Sequence, residues 1–321
     1  MTDLSKISIG IRNSKLSRAQ TEIFIKEASQ LVDLHNPESF EVRTIKTSGD
    51  IHKDHRLDLL GGKGLFIKEI EDQIISGNID LGVHSLKDLP AKDTSEKLEI
   101  ICWLRRYDAS DALLSNSNKS LLNLAPGSVV GTSSIRRRAQ ILSIRKDLKI
   151  KLLRGNVDSR IKKLRENQYD AIILSLAGLQ RLNVDDQITE VLGHEFFLPA
   201  ACQGAVGIQA MRHTKFKEIF NSINHSKTEI ECRSEREVLR IINANCNSPV
   251  SVYAKINDKQ IIVSCELFEH DGKKLFSNSV KGDKDQSIEL SQSLGNEILS
   301  SVGAQKINQL DKLENDFNYT P

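Results

Sequence analysis

The spacing of apolar and polar positions changes several times along the chain, and each change marks an element. Residues 6–11 read as a short strand, followed by Arg12-Asn13-Ser14, with Ser14 placed to cap a helix. Leu16, Ala19, Ile23, Phe24, Leu31 and Val32 then recur at helical spacing, and residues 41–47 read as the next strand. A glycine-rich stretch, Gly61-Gly62-Lys63-Gly64, enters a helix whose apolar face is Leu65, Phe66, Ile70, Ile74 and Ile75, with Gly77 as its stop. Residues 79–83 form a strand of the buried type that ends in His84-Ser85-Leu86-Lys87-Asp88-Leu89-Pro90.

Beyond a polar loop at 115–124 the pattern becomes regular. A strand at 128–130 leads through Gly131-Thr132-Ser133-Ser134 to a helix starting near Ile135. A strand at 149–153 leads through Arg154-Gly155-Asn156 to a helix ending near Leu164, and a strand at 171–174 leads to a helical turn carrying Arg181. Strands alternating with helices predict parallel βα units. The last third differs: residues 250–256, 261–268 and 275–280 read as antiparallel strands joined by Asn257-Asp258 and Asp271-Gly272, closed by one helix from about 287 to 310. This predicts a separate α+β domain after the charged stretch at 215–227.

Composition narrows the picture. The chain has 321 residues, 39% of them hydrophobic and 27% charged, which fits a globular protein of two or three domains. The net charge is only +2, which argues against a general nucleic-acid binder. Five cysteines with no CxxC spacing support neither a zinc site nor a disulfide framework. No apolar run approaches the ~20 residues that span a membrane, and residues 1–9 do not read as a signal peptide, so a cytoplasmic location is expected.

Open α/β sheets bind ligands beyond the carboxyl ends of their strands. There the sequence places Arg12, then Lys87 and Asp88, then Arg136-Arg137-Arg138, then Arg154 and Arg160. Helix N-termini attract anions and guanidinium groups grip carboxylates with two donors, so the set points to a ligand with many carboxylates. For any single arginine an ordinary surface position explains it as well. Asp88 reads either as a salt-bridge partner within a cationic site or as an acid/base. Gly61–Gly64 lacks P-loop spacing, Ser85 lacks the G-x-S-x-G elbow, and His194-Glu195 lacks a second histidine for zinc. Cys246, in Asn243-Ala244-Asn245-Cys246-Asn247-Ser248-Pro249, reads either as an exposed nucleophile or as an ordinary half-buried thiol.

These motifs, in order, resemble the hydroxymethylbilane synthase (porphobilinogen deaminase) family. The resemblance rests on Gly62-Lys63-Gly64-Leu65-Phe66, Val83 to Pro90, Gly131 to Arg137, Leu153-Arg154-Gly155-Asn156-Val157, Tyr169 to Leu174, Ala177-Gly178-Leu179 and Gln203-Gly204-Ala205. It implies an α/β fold: two periplasmic-binding-protein-like domains with a central cleft, plus a third α+β domain with an antiparallel sheet. Domain 1 would take residues 1–104 and 204–222, domain 2 residues 105–203, and domain 3 residues 223–321. The implied reaction joins four porphobilinogen molecules head to tail, with loss of ammonia, into a linear tetrapyrrole. Growth would occur on a dipyrromethane cofactor held by thioether to Cys246. Asp88 would be the catalytic acid/base. Ser85, Lys87, Ser134, Arg136, Arg137, Arg154 and Gly204 would contact the cofactor. Arg12, Ser14, Lys63, Phe66, Arg160, Arg181 and Gln203 would contact substrate. A monomer with no metal, nucleic acid or membrane partner is implied.

The chain departs from the family pattern in places. Ala244 and Asn245 stand where two glycines are usual, Cys202 stands at a frequent glycine, and Gln209 replaces a common glutamate. The rival reading is a non-catalytic binding protein for an anionic small molecule, which would need neither Cys246 nor a third domain.

Overall fold

The computed structural model describes residues 6–31, 37–46, 67–92, 95–245 and 248–311. Lys63, Phe66, the Gly61–Gly64 stretch and Cys246 lie outside them. The chain divides into two compact units, Met1–Tyr107 with Ala205–Glu229, and Asp108–Gly204 with Ile230–Pro321.

The first unit contains β1 (Ile7–Arg12), α1 (Lys15–Ala28), β2 (Phe40–Ile45), α2 (Lys68–Ile75), β3 (Leu81–Ser85) and β4 (Leu98–Trp103). In the second unit the chain forms β5 (Asp111–Ser115), β6 (Val129–Gly131), α3 (Ile135–Ile144), β7 (Lys149–Lys151), α4 (Val157–Arg165), β8 (Ala171–Ser175), α5 (Leu176–Arg181) and β9 (Glu190–Leu192). It re-enters the first unit with β10 (Val206–Met211) and α6 (Phe216–Ile219), and α7 (Ser226–Ile241) carries it back. Then come β11 (Val250–Asn257), β12 (Gln260–Phe268), β13 (Lys274–Asp283), α8 (Ser287–Val302) and α9 (Ala304–Leu310).

The first sheet has the order β2-β1-β3-β10-β4. β1 pairs parallel with β2 and β3, while β10 runs antiparallel to both β3 and β4. β1 is buried along both faces, as a central strand covered by helices must be. Ile7, Ile9 and Ile11 pack with Phe24 of α1 on one face. On the other, Gly10 leaves room for Ile79, Ile45 and Ile70, and a Cβ there would collide with Ile79.

The sheet of the second unit, β7-β6-β8-β5-β9, repeats this plan. β6 is parallel to β7 and β8, and β5 is antiparallel to β8 and β9. In both sheets the fourth strand is the one that follows the chain's entry into the unit. The predicted βα units are parallel, β6 with β7 and β8 and likewise β1 with β2 and β3, and the antiparallel strands β5 and β10 make each sheet mixed. Local periodicity misses this because β5 and β10 take their places through contacts distant in sequence.

The third sheet is the expected antiparallel meander β11-β12-β13. Asp258 and Gly272 take the left-handed conformations its turns require, at φ 56° and 90°. α8 and α9 cover its core through Leu294, Ile298, Ile307 and Leu310. The closing helix is broken in two: Gly303, at φ 86°, ends α8 and redirects the chain into α9. The edge strand β11 is covered by α7. Buried Glu235 and Glu231 accept the N–H groups of Ala254 at 2.8 Å and Ile256 at 2.9 Å. Four residues along a helix advance about 6 Å. Two residues along a strand advance slightly farther, about 6.5 Å. The two carboxylates therefore meet successive outward N–H groups and remove an exposed sheet edge.

Candidate active site

In the first unit, β1 delivers Arg12, half-buried, at its end. Ser14 caps α1, its hydroxyl accepting the Ser17 N–H at 3.1 Å. β3 ends at Ser85, whose hydroxyl accepts a hydrogen bond from Gln20 Nε2 of α1 at 2.8 Å. The chain then makes a 3-10 turn, Leu86–Asp88. Leu86 anchors the turn: it is buried, and its N–H donates to Ala205 O at 3.1 Å. Gly207 of β10 makes space for it, since a Cβ there would collide with Leu86 Cδ2. Lys87 and Asp88 are left half-exposed. Among the described residues, no hydrogen bond or ion pair involves the Asp88 carboxylate, so the salt-bridge reading open in the sequence finds no partner.

Beside this turn lies His84, which is buried. Burial, with Arg12 acting in the same direction, lowers its pKa to about 4, so it is neutral at physiological pH. On the neighbouring strand Gln209 Nε2 donates to Glu71 Oε1 of α2 at 2.8 Å. Glutamine at 209 supplies the donor that a glutamate there would lack.

In the second unit, Ser134 caps α3, accepting the Arg137 N–H. Arg136 and Arg137, in the first turn, are only 4% and 6% exposed. Both point at Asp111, which is completely buried on β5. Arg136 Nη2 lies 2.7 Å from Asp111 Oδ2, and Arg137 Nη2 2.6 Å from Oδ1. Arg136 also donates to Leu198 O at 2.9 Å and Gln140 Oε1 at 2.8 Å, and Arg137 donates to Ile173 O at 3.0 Å. Gln203 belongs to the same cluster, donating to Asp111 Oδ1 at 2.9 Å and Ala109 O at 2.7 Å. Burial would raise the Asp111 carboxyl, but the two guanidiniums and Gln203 hold it well below the ordinary range.

One carboxylate thus faces two guanidiniums in a buried cluster, leaving an excess positive charge. Arg136 Nε, also buried, has no acceptor among the described residues. A buried unpaired charge and an orphaned donor are both costly unless an anion completes them.

The other arginines are half-buried. Arg160 Nε donates to Gly155 O at 2.7 Å, which fixes the guanidinium near the start of α4. The carbonyl of Arg154 accepts from Lys163 at 3.2 Å. Arg181 Nη2 donates to the carbonyl of Gly204 at 2.7 Å, and Gly204 is in the left-handed region at φ 86°. Gly204 and Gln203 therefore position arginines through the protein's own hydrogen bonds.

Three groups escape a reading of the sequence alone. Asp111 carries no motif. His194 lies 2.8 Å from Ser110 Oγ and packs edge-on against Tyr253 of β11, linking the second and third sheets. Glu235 accepts the Cys202 N–H as well as that of Ala254, tying the segment before Gln203 to α7. Cys102, Cys202, Cys232 and Cys265 are all buried, and burial raises the Cys102 thiol to about 12.

The profile described as porphobilinogen deaminase, dipyromethane cofactor binding domain, matches residues 7–218, and that of the porphobilinogen deaminase C-terminal domain matches residues 229–300. The chain is 39% identical over 313 residues to the porphobilinogen deaminase of Geobacillus kaustophilus, covering 97% of this chain and 99% of that one. It is 42% identical over 290 residues to that of Bacillus cereus, covering 89% and 93%. Among solved structures, the methionine-binding protein MetQ superposes with a TM-score of 0.43 at 17% identity, over 69% of this chain and 89% of that one. At that score the likeness adds nothing to the strand order already described. Two profiles in sequence and relatives matched nearly end to end agree with the strand-end motifs: the chain belongs to the porphobilinogen deaminase family.

Proposed function

We propose that this chain joins four porphobilinogen molecules head to tail, releasing ammonia at each addition, and that one water then cleaves the product from the primer to give the linear tetrapyrrole hydroxymethylbilane. The observation that carries the reading is the buried excess charge of Arg136 and Arg137 over Asp111, together with the orphaned Arg136 Nε. A dipyrromethane, whose two pyrroles each bear an acetate and a propionate, fits such a donor set. When bound, it supplies the covalent primer on which the product grows.

The chain's own residues then divide the work. Arg136 and Arg137, held rigid by Asp111, Ile173 and Leu198, provide fixed positive charge for the primer's carboxylates. Arg154, Arg160 and Arg181, less buried, bind carboxylates of the growing chain, with Arg12 and Ser14 serving incoming substrate. Ser134, Ser85 and Lys87 contribute polar donors, while Gln203 and Gly204 hold the arginines in place. Asp88 delivers a proton to the departing aminomethyl nitrogen and recovers one from the ring carbon that has formed the new bond. Its charge also stabilises the positive charge that develops on the pyrrole as ammonia leaves. Cys246 provides the attachment thiol, and the burial of the four described cysteines supports that choice. Lys63 and Phe66 belong to the substrate set by motif position.

The three-domain division at 1–104 with 204–222, 105–203 and 223–321 is part of this reading, as are a monomeric state and a cytoplasmic location. Among the described residues no helix is long and apolar enough to cross a membrane.

Intact-protein mass tests the reading. Protein made in cells that synthesise porphobilinogen carries an adduct of dipyrromethane mass, and Cys246→Ser protein carries none. Unmodified parent protein that still binds an anionic ligand would instead establish the non-catalytic binding protein.

A further inference from the structure

The geometry points to a binding site for a thiophilic divalent cation of the zinc class, formed by Cys202, Cys232 and Glu235 within the second unit. All three residues are buried. One ligand atom from each, the two Sγ atoms and a carboxylate oxygen, lies within 4.8 Å of the other two. The cysteines are 30 residues apart, so no spacing motif in the sequence marks the pair. Cys232 and Glu235 are three residues apart on α7, which puts both on one face of the helix. Cys202 meets that face from the segment after β9, its thiol donating to the carbonyl of Cys232 at 3.6 Å.

Two further observations set this cluster apart from cysteines that merely fill space. The first is the backbone of Cys202, which is left-handed at φ 59°. A residue with a Cβ is strained there, whereas glycine, frequent at this position in the family, is at ease. Cysteine accepts that strain and brings a thiol against α7. The second is the orientation of Glu235. Its Oε2 accepts the Cys202 N–H and its Oε1 accepts the Ala254 N–H at 2.8 Å. These two donors fix the carboxylate, as outer partners fix the ligands of a metal, and each oxygen keeps a second lone pair.

Charge and ligand type select the ion. Each thiol gives up its proton on binding. A divalent cation and two thiols thus become a neutral bis-thiolate unit and two released protons, and the only net charge left buried is that of Glu235. A monovalent ion would leave a second negative charge in the interior. Hard cations such as magnesium and calcium prefer oxygen donors throughout. Zinc takes sulfur at about 2.3 Å and carboxylate oxygen at about 2.0 Å in a tetrahedron, with its donors about 3.5–4 Å apart, so side-chain rotations suffice to close the cluster. The three side chains fill three of its four positions.

The bound ion would act on the arginine cluster through the backbone. Gln203 follows Cys202 and donates to Asp111 Oδ1 at 2.9 Å, and the carbonyl of Gly204 accepts from Arg181 at 2.7 Å. Metal–ligand bonds at Cys202 pin this segment to α7 and stiffen the backbone that positions both arginine contacts.

The test uses the untagged full chain, reduced, stripped with a chelator and titrated with zinc. Metal uptake is read by elemental analysis, and the thermal midpoint is followed at each concentration. The parent should take up one ion per chain, with a midpoint that rises with zinc. Cys202→Gly, whose new residue suits the left-handed backbone, and Cys232→Ala should bind at least about 100-fold more weakly, with midpoints that no longer respond. Cobalt should give a thiolate-to-metal absorption band in the parent and none in Cys202→Gly. Cys246→Ser should keep the ion, which separates this site from that thiol. If Cys232→Ala does not fold, Cys202→Gly decides by the same readouts. No uptake by the parent, parental uptake by Cys202→Gly, or uptake that is lost in Cys246→Ser overturns the site.

Discussion

The two mixed sheets follow one strand plan and end differently. β1 and β6 occupy the same place in their sheets, and each leads into a serine-capped helix, through Ser14 and Ser134. After β1 the arginine sits on the strand end and is half-buried. After β6 two arginines sit in the first helical turn, buried against Asp111. β3 and β8 are likewise equivalent. β8 runs into α5, capped by Ser175, whose Arg181 is fixed to Gly204. β3 runs into a short turn that leaves the Asp88 carboxylate without a hydrogen-bond partner among the described residues. Fixed charge for binding wants donors locked before the ligand arrives, whereas proton transfer wants a group whose lone pairs remain available. The same scaffold supplies both by changing which residue stands at the strand end.

The comparison breaks first at Asp88. Asp88→Asn should fold normally and lose on the order of 100-fold or more in turnover, measured as porphobilinogen consumption under saturating substrate. Turnover within a few-fold of the parent would leave both units with binding roles only.

At the arginine cluster the large effect should fall on stability. Asp111→Ala leaves two buried guanidiniums without their counter-charge and should cost about 3–5 kcal/mol, read from the urea midpoint. Arg154→Ala, at a half-buried position, should change stability by less than about 1 kcal/mol while raising KM. Equal stability losses in the two variants would show that the buried cluster is no more structural than the half-buried arginines.

The remaining effect is a pH dependence in the first unit. Unfolded chain protonates His84 below about 6.5, and folded chain only below about 4. The unfolded state therefore binds more protons between these values, and stability must fall as pH drops through that window, by about 3 kcal/mol in all. Asp111, whose carboxyl is held below its ordinary 3.8, adds a loss only at lower pH. His84→Gln should flatten the fall in urea midpoint between pH 7 and 4.5. An unchanged slope would place the titration on another group.

Much of this was legible along the chain. Helix starts at Ser14 and near Ile135 follow from capping residues, and the meander follows from its alternation and the turns at Asp258 and Gly272. The strand-end motifs were legible for the same reason, since they lie within a few residues of a local signal. What escaped depends on residues far apart in sequence. β5 and β10 were not read as strands from the sequence, and nothing near them says that each runs antiparallel in its sheet. The break at Gly303 escaped because a lone glycine is tolerated within a helical pattern.

The sequence by itself determined the leading βα elements of both units, the third sheet, the family and the inventory of charged groups that make a polycarboxylate chemistry possible. The tertiary structure decided which of those groups are available. It turned Arg136 and Arg137 inward onto Asp111, 25 and 26 residues away, and left the Asp88 carboxylate without a hydrogen-bond partner among the described residues. It also brought Asp311, 63 residues on, to Ser248. Composition counts charges, but only packing determines which charges have already found their partners.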